Sequence, residues 1–110
     1  MGIIVFYEGN NATQNIVQTV EDAPGQDFRP VQNDAIRSAR LFGVRPGCEL
    51  RVYDSADGTT NDDFCIVNVK RSTPEYVVGT FERSYEDEYV IVSFIRNNGL
   101  DGQVSRIKVN

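Results

Sequence analysis

The sequence contains no histidine. That absence removes the most common general base near neutral pH, the Ser-His and Cys-His nucleophile pairs, and the commonest zinc ligand. Tryptophan is also absent, and cysteine occurs only as Cys48 and Cys65, so the chain is no disulfide scaffold and both thiols are expected to be reduced. Basic side chains are outnumbered, with 11 Lys and Arg against 16 Asp and Glu and a formal net charge of -5. Such a balance disfavours nucleic acid and anionic membrane surfaces as partners and suits cations. No apolar run is long enough to span a bilayer, and residues 1–7 lack the basic start and extended apolar region of a secretory signal, which leaves the location unknown with a lean to the cytoplasm and secretion after cleavage of a signal still open. Sustained helical periodicity with caps and stop signals is missing too, which leaves an all-β fold as the expectation.

What the chain does have is a succession of short β-prone runs separated by Gly, Asn, Asp and Pro. A length of 110 residues fits one domain with its own core, residues 1–110, expected to be a monomer. Strands are predicted at 3–8, 15–20, 49–54, 64–70 and 104–109. Residues 27–31 form at most a short edge strand, because Pro30 cannot donate to a ladder. Residues 75–82 and 88–96 are predicted as two strands flanking a hairpin at 83–87.

Two of these stretches repeat each other. Residues 33–41, NDAIRSARL, and 101–109, DGQVSRIKV, both run from an Asx or Gly opening into a β-branched residue, Ile36 or Val104, and end on an aliphatic, Leu41 or Val109. An echo precedes each. In IIVFYE, 3–8, and ELRVYD, 49–54, Ile4 and Phe6 correspond to Leu50 and Val52, and Tyr7-Glu8 corresponds to Tyr53-Asp54. The chain therefore reads as two copies of one unit, about 1–44 and 45–110, joined by GVRPG at 43–47.

The polar loops NDAIRS, 33–38, and DGQVSR, 101–106, resemble the calcium-binding signature of the βγ-crystallin family: two Asn/Asp positions, two free positions, then Ser/Thr and Ser. VRPGCELRVYD, 44–54, is similar to the Pro-Gly link into the aromatic-acid strand that opens the family's second motif. The resemblance covers nearly the whole chain. It implies two Greek-key motifs forming one β-sandwich, and a non-enzymatic role that is structural or stress-related. It also implies a calcium site built from loop side chains, a loop carbonyl and a backbone carbonyl just after the aromatic of a neighbouring hairpin. Carried over, the ligands are Asn33, Asp34 and Ala35 in the first loop, Asp101, Gln103 and Ser105 in the second, and the backbone at Glu8 and Asp54.

Departures from the pattern limit that expectation. Residues 10–15, NNATQN, do not supply the aromatic and glycine that the family carries in its first hairpin, and residues 71–88 have no counterpart in the first copy. Arg37 stands where the first loop should offer a hydroxyl ligand, and Gly102 removes one Asx side chain from the second. Calcium takes six to eight oxygens, and a guanidinium beside it repels the ion directly. If ligands cross between the loops, Asp34 with Ser105 can complete one site, whereas Gly102 with Arg37 cannot complete another. At most one weakly bound calcium ion is expected. The competing interpretation makes both loops plain Asx turns, with Arg37 as an internal cation paired to Asp34 or to acids of the other motif.

Residues 55–63, SADGTTNDD, lie beside Asp54 and are dense in acids, but an EF-hand register centred on Gly58 puts Tyr53 first and Phe64 last, so a solvated acidic loop is expected. The aromatics Tyr76, Phe81, Tyr85, Tyr89 and Phe94 are expected in the core or in cross-strand pairs rather than on a stacking platform. The alternative function is a protein-binding, inhibitor or toxin-like module with the same fold and no functional calcium site, using 75–96 as a recognition edge. An enzyme pairing Asp54 with Asp62 or Asp63 ranks last, for want of a nucleophile, a phosphate-cradling loop or a cofactor fingerprint.

Overall fold

Alternation of apolar and polar residues buries one face of a strand, and it does so throughout the second half of the chain. The computed structural model describes residues 2–29, 36–54, 63–95 and 104–110. Among the described residues there are ten strands and no helix: β1 Ile3–Gly9, β2 Thr13–Glu21, β3 Gln26–Phe28, β4 Ser38–Phe42, β5 Glu49–Tyr53, β6 Phe64–Val69, β7 Tyr76–Val78, β8 Tyr85–Glu86, β9 Val90–Ile95 and β10 Arg106–Val109. Leu50 and Val52 of β5, Cys65 and Val67 of β6, Val90 and Val92 of β9, and Ile107 and Val109 of β10 all point into one core. In β1, Ile4 and Phe6 join that core, while Val5 and Tyr7 are buried on the other face. The Arg40 guanidinium lies 5.6 Å from the Tyr7 ring centroid, so its stem covers part of that face.

The strands form two antiparallel sheets, one ordered β2-β1-β4-β7 and the other β3-β10-β5-β6-β9-β8. Strands β3 and β7 leave the sheet of their sequence neighbours: β3 pairs with β10, and β7 pairs with β4. Residues of both sheets share one hydrophobic cluster, which is closed by Ile36, Val104 and Phe81 from outside the strands. The arrangement is sandwich-like.

The hairpin predicted between 75–82 and 88–96 is corrected by this pairing. The first run is strand only over β7, which pairs across the core with β4, and the hairpin partner of β9 is β8, with Glu86 opposite Ile91. Gly79 and Thr80 end β7 early, after which Phe81 turns inward and is 2% exposed. The link between the copies is pinned rather than free. Arg45 donates its backbone N–H to Asp22 Oδ2 at 2.9 Å and its side chain to the carbonyls of Asp22, at 3.0 Å, and Asn110, at 2.6 Å. Cys48 and Cys65 are both free and wholly buried. Burial pushes both thiols up, that of Cys65 to about 12, which keeps them protonated and unreactive.

Asp87 closes the β8–β9 hairpin by accepting the N–H groups of Tyr89 at 2.8 Å and Val90 at 3.0 Å, and the Tyr76 hydroxyl donates to its other oxygen. Burial pushes its carboxyl up, but these hydrogen bonds and the Lys70 charge outweigh that and hold it below the usual carboxylate range. Asp27 is held low as well, chiefly by its hydrogen bond from Arg106 where β3 meets β10. Both folded values lie below the unfolded one, so their stabilisation is complete above about pH 4 and is lost as pH falls through the folded values. Melting temperature is expected to fall as pH drops below about 4, and less steeply in Asp87→Asn. An equal slope in that variant would show that Asp87 carries none of the acid sensitivity.

Candidate functional site

Each polar loop delivers one aliphatic peg to the core, and the residues after it are thereby fixed. Ile36 and Val104 are wholly buried. The next residue in each copy donates its backbone N–H to the strand tyrosine's carbonyl, Arg37 to Tyr7 at 2.9 Å and Ser105 to Tyr53 at 2.8 Å. Pairing then continues in the same register, Ser38 opposite Tyr7 in one sheet and Arg106 opposite Tyr53 in the other. A cation also lies over each tyrosine, Arg40 at 5.6 Å from the Tyr7 centroid and Lys108 at 5.3 Å from that of Tyr53. Arg37 and Ser105 thus occupy equivalent places, as do the backbones of Glu8 and Asp54.

The two places differ chemically. At the first, Arg37 Nη1 donates to the Glu8 carbonyl oxygen at 2.9 Å. This is the main-chain oxygen assigned to calcium from the sequence, and here it faces a guanidinium. The Glu8 carboxylate turns toward the hairpin, where Oε1 accepts the Asn15 N–H at 3.3 Å. Beside it the buried Ser38 hydroxyl accepts the Ala12 N–H at 2.9 Å and donates to the Gly9 carbonyl. That bond holds a β1–β2 turn in which Asn11, Ala12 and Gln14 take positive φ values of 58, 56 and 63°. Side chains other than glycine rarely do so, and the surrounding hydrogen bonds hold them there.

At the second place the neutral Ser105 is 7% exposed and stands where Arg37 stands in the first. The Asp54 N–H donates to the Asp63 carbonyl at 2.9 Å, which draws Asp63 under the sheet edge to full burial. An acid at the end of a polar run reads as solvated, so Asp63 departs from the expectation for 55–63.

No family model, curated protein or solved structure matches the chain. The site therefore rests on this geometry alone. Of the predicted ligands, Glu8, Asp54 and Ser105 are placed at the equivalent positions just described, whereas Asn33, Asp34, Ala35, Asp101 and Gln103 lie outside the described residues. Among the described residues no group of three or more His, Cys, Asp or Glu side chains converges on one point. Any calcium site on this frame thus depends on main-chain and hydroxyl oxygens together with the loop acids. The first place does not fit a divalent cation, because a positive charge already sits on its carbonyl. At the second place the corresponding groups are the neutral Ser105 hydroxyl and the Asp54 carbonyl, hard oxygens of the kind calcium takes.

Proposed function

We propose that this is a non-enzymatic βγ-crystallin-type domain of two Greek-key motifs, structural or stress-related, in which the first motif carries its own cation and the second binds a single calcium ion weakly. The observation that carries the reading is the exchange of Arg37 for Ser105 at equivalent positions, with the Arg37 guanidinium 2.9 Å from the Glu8 carbonyl. The exchange of β3 and β7 between the sheets supports the two-motif architecture, with β8 and β9 as an insertion in the second motif. Calcium would be held by Ser105 and the Asp54 carbonyl with oxygens from Asp34, Asp101 or Gln103, and would supply charge neutralisation and cross-linking of loops. Binding to the folded state alone raises stability by mass action.

The test is calorimetric titration of metal-stripped protein with calcium, paired with thermal melts. The expected result is saturable binding of about one ion and a raised melting temperature. Ser105→Arg, which copies the first motif's chemistry into the second, is expected to abolish both. Calcium heat that survives this change would mean that the ion is held elsewhere.

A further inference from the structure

A groove of about 370 Å³ opens between the β1–β2 turn, β7 and β8, on elements from both motifs. Its size is that of a small-ligand site. Tyr76 and Tyr85 supply an aromatic wall, and the Arg83 guanidinium lies 4.9 Å from the Tyr85 ring centroid. Opposite, Asn11 is tied to Gly79, donating its backbone N–H to the Gly79 carbonyl at 2.8 Å. A Cβ at Gly79 would lie 2.4 Å from the Asn11 side-chain oxygen, so the glycine lets that amide lie against the strand. Thr80 adds a hydroxyl to the lining.

The polar groups of the lining are phenol, hydroxyl, amide and guanidinium, with no carboxylate among them. Tyr76 gives its proton to Asp87, so the Tyr85 hydroxyl, 2.8 Å away, must donate to the Tyr76 oxygen. Arg83 makes no ion pair among the described residues, whereas Arg40, Arg51, Arg71 and Arg106 pair with carboxylates and Arg37 and Arg45 donate to main-chain carbonyls. An unspent guanidinium beside two phenol rings, an amide and a hydroxyl suits a hydroxylated ring that carries one carboxylate.

We propose that this groove binds a uronate residue of an acidic saccharide, with its carboxylate on Arg83 and its ring against Tyr76 and Tyr85. The site is independent of calcium. Trigalacturonate titrated into the wild-type protein in the presence of a chelator, followed by calorimetry and backbone amide spectra, is expected to bind saturably. Spectral changes should be confined to Asn11 and the segment from Tyr76 to Tyr85. Arg83→Met keeps an aliphatic stem over Tyr85 and is expected to weaken binding by about tenfold or more without moving the melting temperature. Neutral maltotriose should bind the wild type at least about tenfold more weakly than trigalacturonate. The proposal is overturned by no saturable binding of trigalacturonate, by maltotriose binding as tightly, or by Arg83→Met retaining full affinity.

Discussion

Replacing Arg37 with serine is expected to destabilise the metal-free protein and to make it markedly calcium-responsive. The Arg37 guanidinium donates to the Glu8 carbonyl. A hydrogen bond to a charged group of this kind contributes about 1.5–3 kcal/mol, and for a domain of this size each kcal/mol moves the melting temperature by roughly 4–8 °C. Serine removes that bond but supplies the hydroxyl that Ser105 supplies in the second motif. Calcium at about one hundred times its dissociation constant then returns roughly 2.7 kcal/mol, enough to offset the loss. Calorimetry should count one more ion per chain than in the wild type. Arg37→Met separates the two effects, since it loses the charge without offering an oxygen and should show the destabilisation with no recovery. A serine variant indifferent to calcium would sink the assignment of the Glu8 carbonyl as a ligand.

Phe81→Ala is expected to be the most damaging single change between β7 and β8. Phe81 belongs to no strand, yet it is 2% exposed and its ring centroid lies 6.5 Å from that of Phe6, the largest side chain that β1 sends inward. Truncating a buried phenylalanine costs about 3–5 kcal/mol, partly lost transfer energy and partly the cavity left behind. The melting temperature should drop by on the order of 12 °C or more, with a parallel fall in the urea midpoint. A loss below about 1 kcal/mol would mean that the segment between β7 and β8 does not plug the core.

The sheet that carries most of the alternation was the legible part of this fold. ELRVY, FCIVNV and the last strand announce their buried faces by period alone, and the match of Ile36 with Val104 set the two loops in the register that the Tyr7 and Tyr53 carbonyls now show. Less was legible where propensity and pairing part company. Residues 75–82 are β-prone throughout, but β-propensity reports a fit to a pleated surface and not which edge a strand will join, so β7's partner across the core was invisible. The turn after β1 takes positive φ at Asn11, which its side chain favours, and also at Ala12, which nothing in an alanine signals, and β2 begins at Thr13. Arg37's bond to the Glu8 main-chain oxygen is one that composition cannot signal, since every residue carries such an oxygen. The groove was missed for a related reason: Tyr76 and Tyr85 are core aromatics by spacing, and only the packing of β8 beneath β7 gives them a shared open side.

The position of β10 between β3 and β5 bears on how the chain is made. During synthesis β3 emerges well before the strand it pairs with, residues 106–109. The nascent first motif also waits for β7 to cover the open flank of β4. Neither half can therefore complete both sheets alone, and the sandwich closes only once β7 and β10 have emerged. Until then the uncharged stretch from Thr13 to Val20 has its β1 neighbour but not the finished sandwich behind it. That interval is when holdase protection would matter most to its yield.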